Sequence, residues 1–261
     1  MGRRRAEMLA GGLRYAAGRW AGTGRDGDRR EGGRFARSKC WNAGPGGREA
    51  GMFTADRDLV VLEPAVFRDA AHLSQVLFAG MCSLDQTLVL TDAPPPECPE
   101  IAAGGVALID GVAMEIVQRA GERELVVSLP RPDRAAAAVA WRTLASAKIE
   151  VRGFSSLIAV VHRRLLADLG MSAGGPNADV SPEMVMNPDD WRNVETLGSL
   201  SLICTAAAAM RGDDDPMWGK AEHYRREHAA ARRGLVVRVD RDADGVADRE
   251  LRVQSGRLRR G

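Results

Sequence analysis

The sequence predicts an α+β protein with a helical body of about four helices, an inserted small antiparallel β-sheet or barrel, and a C-terminal β-hairpin. Three observations predict it. Apolar residues recur at intervals of three and four in four separate stretches. Short β-type runs joined by Pro- and Gly-rich turns lie between the first and second of these. Two alternating apolar segments flank an Asp-rich loop near the C-terminus.

Glu63 and Pro64 open the first helix, since proline is tolerated in a first turn. Val66, Phe67, Ala70, Leu73, Val76 and Leu77 then give it one apolar face to about residue 78. Residues 87–91, 106–110, 112–119 and 124–129 follow as strands, with 148–152 as the last of about four to five. Their joints, Ala93-Pro94-Pro95-Pro96, Asp110-Gly111 and Ala120-Gly121, are turn chemistry. The alanine-rich stretch 135–140 fits a short helix or a loop. Phe154, Leu157, Ile158, Val161, Leu165, Leu166 and Leu169 mark a second helix, stopped at Gly170. A Gly/Pro/Asn-rich linker leads to Asn187-Pro188, which starts a long helix with Trp191, Val194, Leu197, Leu200, Ile203 and Ala207 on one face. Its end is Gly212-Asp213-Asp214-Asp215-Pro216. A last helix, about 216–233, turns Trp218, Ala221, Tyr224 and His228 to the apolar side and arginines to the other.

At 261 residues, with 45% hydrophobic and 28% charged residues, the chain can bury one sizeable core or two small ones. Nothing reaches the ~18 consecutive apolar residues of a membrane span. The run Met8-Leu9-Ala10 is too short for a signal-peptide core, so the chain reads as made in the cytosol. Cys40, Cys82, Cys98 and Cys204 lie far apart with no C-x-x-C, which argues against zinc or a redox dithiol.

The formal charge of +2 hides a division. Residues 1–51 hold twelve basic against five acidic side chains, a net of +7, which leaves −5 for the remainder. The same segment carries 13 of the 29 glycines and no sustained period, so it reads as a disordered basic arm. As a functional element it would be a nucleic-acid-binding tail, because arginine clusters release counterions from phosphates. Against that, it lacks the aromatic interleaving of single-strand binders. An idle tail or a mis-assigned start, with Met52 the true start before the first patterned segment, accounts for the same composition.

Near the C-terminus, Asp240, Asp242, Asp244 and Asp248 stand at positions 1, 3, 5 and 9 of a loop with Gly245 at position 6. That spacing lets a short loop wrap a hard cation in oxygen ligands, so these four form a candidate calcium site. It is not an EF-hand: position 12 is Leu251, Glu250 falls one place early, and no helix pair flanks it. It is more like the Asp-rich loops of calcium-stabilised repeats, occurring once. A plain hairpin turn selects the same residues for positive φ and Asx hydrogen bonds. In both readings the role is structural.

No residue is assigned to catalysis. His223 and His228 are five apart rather than the four that would align two zinc ligands, and with His72 and His162 they read as structural histidines. No G-x-S-x-G or G-x-x-x-x-G-K-[ST] occurs. Glu115 and Asp110 could pair as acid and base, but they read better as solvent-facing positions of an alternating strand.

The order of segments carries a further signal. Leu62-Glu63-Pro64 with Phe67-Arg68-Asp69, a β insertion with Asp110-Gly111 and Glu115, the run Val161-His162-Arg163-Arg164-Leu165-Leu166, and Val194-Glu195-Thr196-Leu197-Gly198 leading to alanines 206–209 resemble head-to-tail connector (adaptor) proteins of tailed bacteriophages and prophages. The resemblance runs from about Met52 to the C-terminus and leaves out the basic arm. It implies a helical body with an inserted β element and no enzyme activity. It also implies a structural virion protein, a homo-oligomeric ring in the neck beneath the portal protein, assembled in the bacterial host cytoplasm. Such a ring contacts the portal and the adjacent neck or tail protein, and passes genomic DNA without sequence specificity or membrane contact. On this reading the chain divides into the arm 1–51, a helix–β–helix unit 52–171, a linker 172–187, and a helical pair plus hairpin 188–261, with the hairpin as a projection for docking. Two other classes fit the residues: a calcium-stabilised binding module, and a DNA-associated protein using the arm.

Overall fold

The structure, a computed structural model, describes residues 52–253. The basic arm, Met52 as a start after it, Cys40 and the terminal run Arg257, Arg259 and Arg260 concern or adjoin segments outside the described residues. Five helices and eight strands follow in chain order: α1 (Asp56–Leu62), α2 (Val66–Asp69), β1 (Gln75–Asp85), β2 (Leu88–Thr91), β3 (Val106–Ile109), β4 (Val112–Arg119), β5 (Glu124–Ser128), β6 (Leu144–Gly153), α3 (Ser155–Asp168), α4 (Pro188–Arg211), α5 (Met217–Gly234), β7 (Val236–Val239) and β8 (Arg249–Arg252). Short 3-10 turns occupy Ala71–Leu73 and Pro182–Met184.

The predicted fold class is corrected here. The chain is not a helical body carrying a small inserted sheet, because the β part is a closed antiparallel barrel of six strands in the order β1-β2-β5-β4-β3-β6. The difference lies at residues 75–78, where the apolar spacing predicts the end of the first helix. After Ser74 the backbone is extended, and Gln75, Val76 and Phe78 pair with Gly153, Arg152 and Val151. An apolar run this short fits either period, and pairing with a strand that is distant in sequence decides it. Because β1 also pairs with β2, this one strand closes the sheet on itself. Bulges between Val76 and Phe78 and between Cys82 and Leu84 give β1 the bend that closure requires.

Inside the barrel, Leu77, Cys82, Leu84, Val89, Ala107, Ile109, Met114, Ile116, Leu125, Val127, Ile149 and Val151 form one apolar core. The β3–β4 connection is the predicted Asp110-Gly111 turn, with φ of 47° and 81° at the two residues. Positive φ at both central positions defines the mirror-image turn that matches strand twist. Strand β3 has no solvent face: Ala107 and Ile109 point into the barrel, and Val106 and Leu108 join the helical core with Phe67, Phe154, Leu200, Ile203 and Tyr224. A continuous apolar run is what a strand buried on both faces needs.

Ionic and polar contacts fix this junction. Glu115 on β4, 1% exposed, accepts from Nε of Arg57 at 2.5 Å and also pairs with Arg131. The prediction that it faces solvent is therefore corrected. Arg57 also donates to Asp58 and to the Arg131 carbonyl, and Arg134 donates to the other Asp58 oxygen at 2.5 Å. Phe154 N, at the start of α3, donates to Asp56 at 2.7 Å. Farther along, Lys220 of α5 lies 3.1 Å from both Glu63 and Asp69.

A third core joins α3, α4 and the β7–β8 hairpin, with Val161, Leu165, Trp191, Val194, Val237, Val239 and Leu251 buried together. Residues 172–187 pack against it: Val180 and Val185 are buried, and Val185 bridges Val239. The hairpin thus folds onto its own domain and does not project. Gly198 lets three helices meet, because a Cβ there would lie 2.8 Å from Val161 and 3.0 Å from His228 Nε2.

Two stability outcomes follow from this packing. Glu115→Ala leaves two guanidiniums buried without their carboxylate, and its urea midpoint should report a loss of about 3–5 kcal/mol. Gly219→Ala, in open space on α5, should raise stability by up to about 1 kcal/mol, while Gly198→Ala lowers it, because overpacking outweighs the same helix-propensity gain. Equal effects of the two alanines in thermal denaturation would contradict the close approach at Gly198.

Candidate functional site

Each side chain of the Asp-rich loop is placed by the hairpin beneath it. Arg238 pairs with Glu250 and Val239 with Arg249, and inward-facing Val237, Val239 and Leu251 anchor the two strands in the core. At the loop's entry Asp240 N donates to Met184 O, and at its exit Asp248 N donates to Val239 O, both at 2.9 Å. The chain between them must reverse tightly. Ala243 and Gly245 take φ of 59° and 84°, and the glycine pays no steric cost there.

Within this turn Asp240, Asp242 and Asp244 come together, each offering a carboxylate oxygen within 4.8 Å of the others. Asp248 is not part of that group; its carboxylate accepts from Arg241 N at 2.7 Å. The three clustered carboxylates also take loop amides: Gly245 N to Asp240 at 2.8 Å, Asp244 N to Asp242 at 3.4 Å, and Val246 N to Asp244 at 2.7 Å. Arg241 forms an ion pair with Asp179. The Gly245 amide holds the Asp240 carboxyl below its ordinary value of 3.8. Asp240 is half-buried, and Asp242 and Asp244 are exposed. Their free lone pairs could supply part of the six to eight oxygens that calcium takes, with water as the remainder.

The histidines divide by environment. His72 and His223 are exposed, and His228 is half-buried with its pKa lowered by burial and by Arg232. His162, 2% exposed, stands 3.3 Å from the fully buried Glu195 of α4. The other Glu195 oxygen accepts from Phe53 N and Thr54 N at 3.2 and 3.3 Å, while the Phe53 ring lies 4.9 Å from Trp191. This pair straps residues 53–54 onto α3 and α4 and touches none of the clefts described below. The sequence reading passed over Glu195 as a partner; a lone Glu among the apolar positions of α4 was its only signal. Burial raises the Cys82 and Cys204 thiols to about 11, which leaves them poor nucleophiles at neutral pH.

Among the open clefts on the described surface are three of several hundred Å3, one of them, of about 410 Å3, lined by Glu97, Cys98, Pro99, Ile101, Ala102 and Arg119. A second, of about 500 Å3, runs between the start of α4, the end of α5 and the hairpin, and has walls of mixed charge from Asp190, Arg238, Glu250 and Arg252. The third, of about 370 Å3, lies on the barrel beside Leu90, Asp92 and Arg123. No protein-family model, curated protein or solved structure matches this chain.

The lowered Asp240 pKa sets a direction for acid behaviour. A carboxyl depressed in the folded state stabilises the loop above its unfolded value of 3.8, and that contribution is lost as pH falls through the folded value. Hydrogen exchange should therefore find the Gly245 amide protected at neutral pH and opened in acid. Asp240→Asn should flatten that dependence.

Proposed function

We propose that this chain is a non-enzymatic structural subunit of a tailed-phage or prophage neck, a head-to-tail connector (adaptor) that forms a homo-oligomeric ring beneath the portal. In that role it contacts the portal and the adjacent neck or tail protein, lines the passage of genomic DNA without reading sequence, and is assembled in the bacterial host cytoplasm before taking its place in the virion. The segment resemblance from Met52 onward supports this. The helical body that the resemblance implied is not the fold observed, so the reading leans on those segments and on the distribution of chemistry in the molecule. One observation carries it: the buried ionisable groups Glu115, Arg57, Glu195 and His162 are engaged in packing, while the exposed barrel surface carries Leu88 and Leu90, 43% and 48% exposed. Two neighbouring exposed leucines on one strand face offer an apolar point of contact for a partner. Among the described residues no helix is long and apolar enough to cross a membrane.

A second reading, a calcium-stabilised binding module, draws on the convergence of Asp240, Asp242 and Asp244. Both are addressed by native mass spectrometry of the full chain with and without a portal ring, in calcium and in chelator. A discrete ring, or a monomer that becomes one on mixing with portal, is the expected result. A monomer indifferent to portal would sink the connector reading. A bound calcium lost in Asp242→Asn would place the ion in the loop and favour the second reading only if portal has no effect.

A further inference from the structure

We propose that the outer face of β1, β2 and β5 is a docking surface for helix α5 of a second copy of this chain, so that copies associate head to tail. This rests on the ring reading above and deepens it by naming the contact. The face is built by strand alternation. On β2, Val89 and Thr91 point inward, so Leu88 and Leu90 point out. The register sets Asp85 and Val126 on either side of Leu88, and Ser83 and Glu124 on either side of Leu90. Met81, 38% exposed, extends the patch along β1. Beside it lies the hollow of about 370 Å3, walled by Leu90, Asp92, Arg123 and the small Ala145 and Ser146. Asp85, Asp92, Glu122 and Glu124 lie around the face, with Arg123, Arg142 and Lys148 as the opposing charges, and Asp92, Glu122 and Glu124 make its Leu90 end acidic. Among the described residues Asp92, Glu122 and Glu124 form no ion pair.

Such a face fits a rigid element that brings an apolar anchor and positive charge, and α5 carries both. Trp218 is 36% exposed in its first turn. Beyond it Arg225, Arg226 and Arg233 are exposed, with Ala229 and Ala230 between them adding little bulk. Lys220 and Arg232 are engaged within their own subunit with Glu63, Asp69 and Asp168. Arg225 and Arg226 share the single carboxylate of Glu222, and Arg233 has no ion pair among the described residues, so with Glu227 the exposed surface remains net positive. From Trp218 to Arg225 is about 10 Å along a helix, close to the two-strand width from β1 to β5. Trp218 beside Leu90 would thus bring the arginines over the acidic rim, and tryptophan with arginine is the usual composition of an interface hot spot. A closed barrel has no free edge for strand addition, so association through it must use a face. The two surfaces differ, which makes the contact heterologous, the kind that gives a ring where the rotation between copies closes.

The test uses two double variants of the full chain, Leu88→Lys with Leu90→Lys on the barrel and Arg226→Glu with Arg233→Glu on α5. Sedimentation analysis follows each alone and as an equimolar mixture. Wild type should self-associate, each variant should weaken that by at least about tenfold, and the mixture should stop at a two-chain species, because each partner keeps one working surface. Asp92→Arg with Glu124→Arg should restore assembly to the helix variant, which separates loss of contact from loss of fold. Variants that assemble like wild type would overturn the contact and leave the ring reading standing. A wild-type chain monomeric up to ~1 mM would also overturn the contact, and adding portal would then decide whether the ring reading falls with it.

Discussion

A carboxylate with 1% exposure at the junction between barrel and helices needs partners for both oxygens, and Glu115 has an arginine on each. Arg57 comes from α1, and Arg131 from the chain just after β5. Desolvating these groups costs several kcal/mol each, so the arrangement is tolerable only with the partners in place. The carbonyl and carboxylate contacts of Arg57 extend the network to Asp58 and Arg134. Its effect is positional. It fixes the first helix against the fourth strand, while α3 and α5 both pack on α4.

The same logic recurs elsewhere with different chemistry. Glu195 takes two backbone amides and faces His162, which ties the segment before α1 to α3 and α4. Lys220 bridges Glu63 and Asp69, tying α5 to the ends of α1 and α2. Apolar burial supplies most of the driving force, because it scales with area. Polar contacts of this kind choose among the ways in which apolar faces could stack. Strand β3, buried on both faces, is where the two requirements meet: it is a wall of the barrel and a floor for the helices.

The buried ionisable groups Glu115, Arg57 and Glu195 each contact other elements of the fold. A barrel face with exposed leucines among carboxylates and a helix with exposed arginines are different in kind and complementary in charge. The Asp-rich loop adds a turn at the far end of the hairpin, knitted by its own amides. Because the hairpin lies on its own domain, the loop reinforces that domain.

The sequence by itself determined the elements with strong local signals. The helical stripes at Phe154 to Leu169 and from Trp191 onward became α3 and α4, and alternation with a D-G pair became β3, β4 and their turn. Positions 240, 242 and 244 around Gly245 announced the clustered carboxylates, because such a loop is local in sequence and its geometry follows from its own residues. Asp248 lies outside the cluster, with its carboxylate on the Arg241 amide seven residues away. Only tertiary structure decided that residues 75–78 are a strand, that the sheet closes, that Glu115 is buried and that the hairpin lies on its own domain. Each of these depends on a partner distant in sequence: β6 for the strand, Arg57 and Arg131 for the carboxylate, Trp191 and Val194 for the hairpin. Periodicity reports which face of a segment is apolar. What that face meets is settled only when segments distant in sequence have packed together.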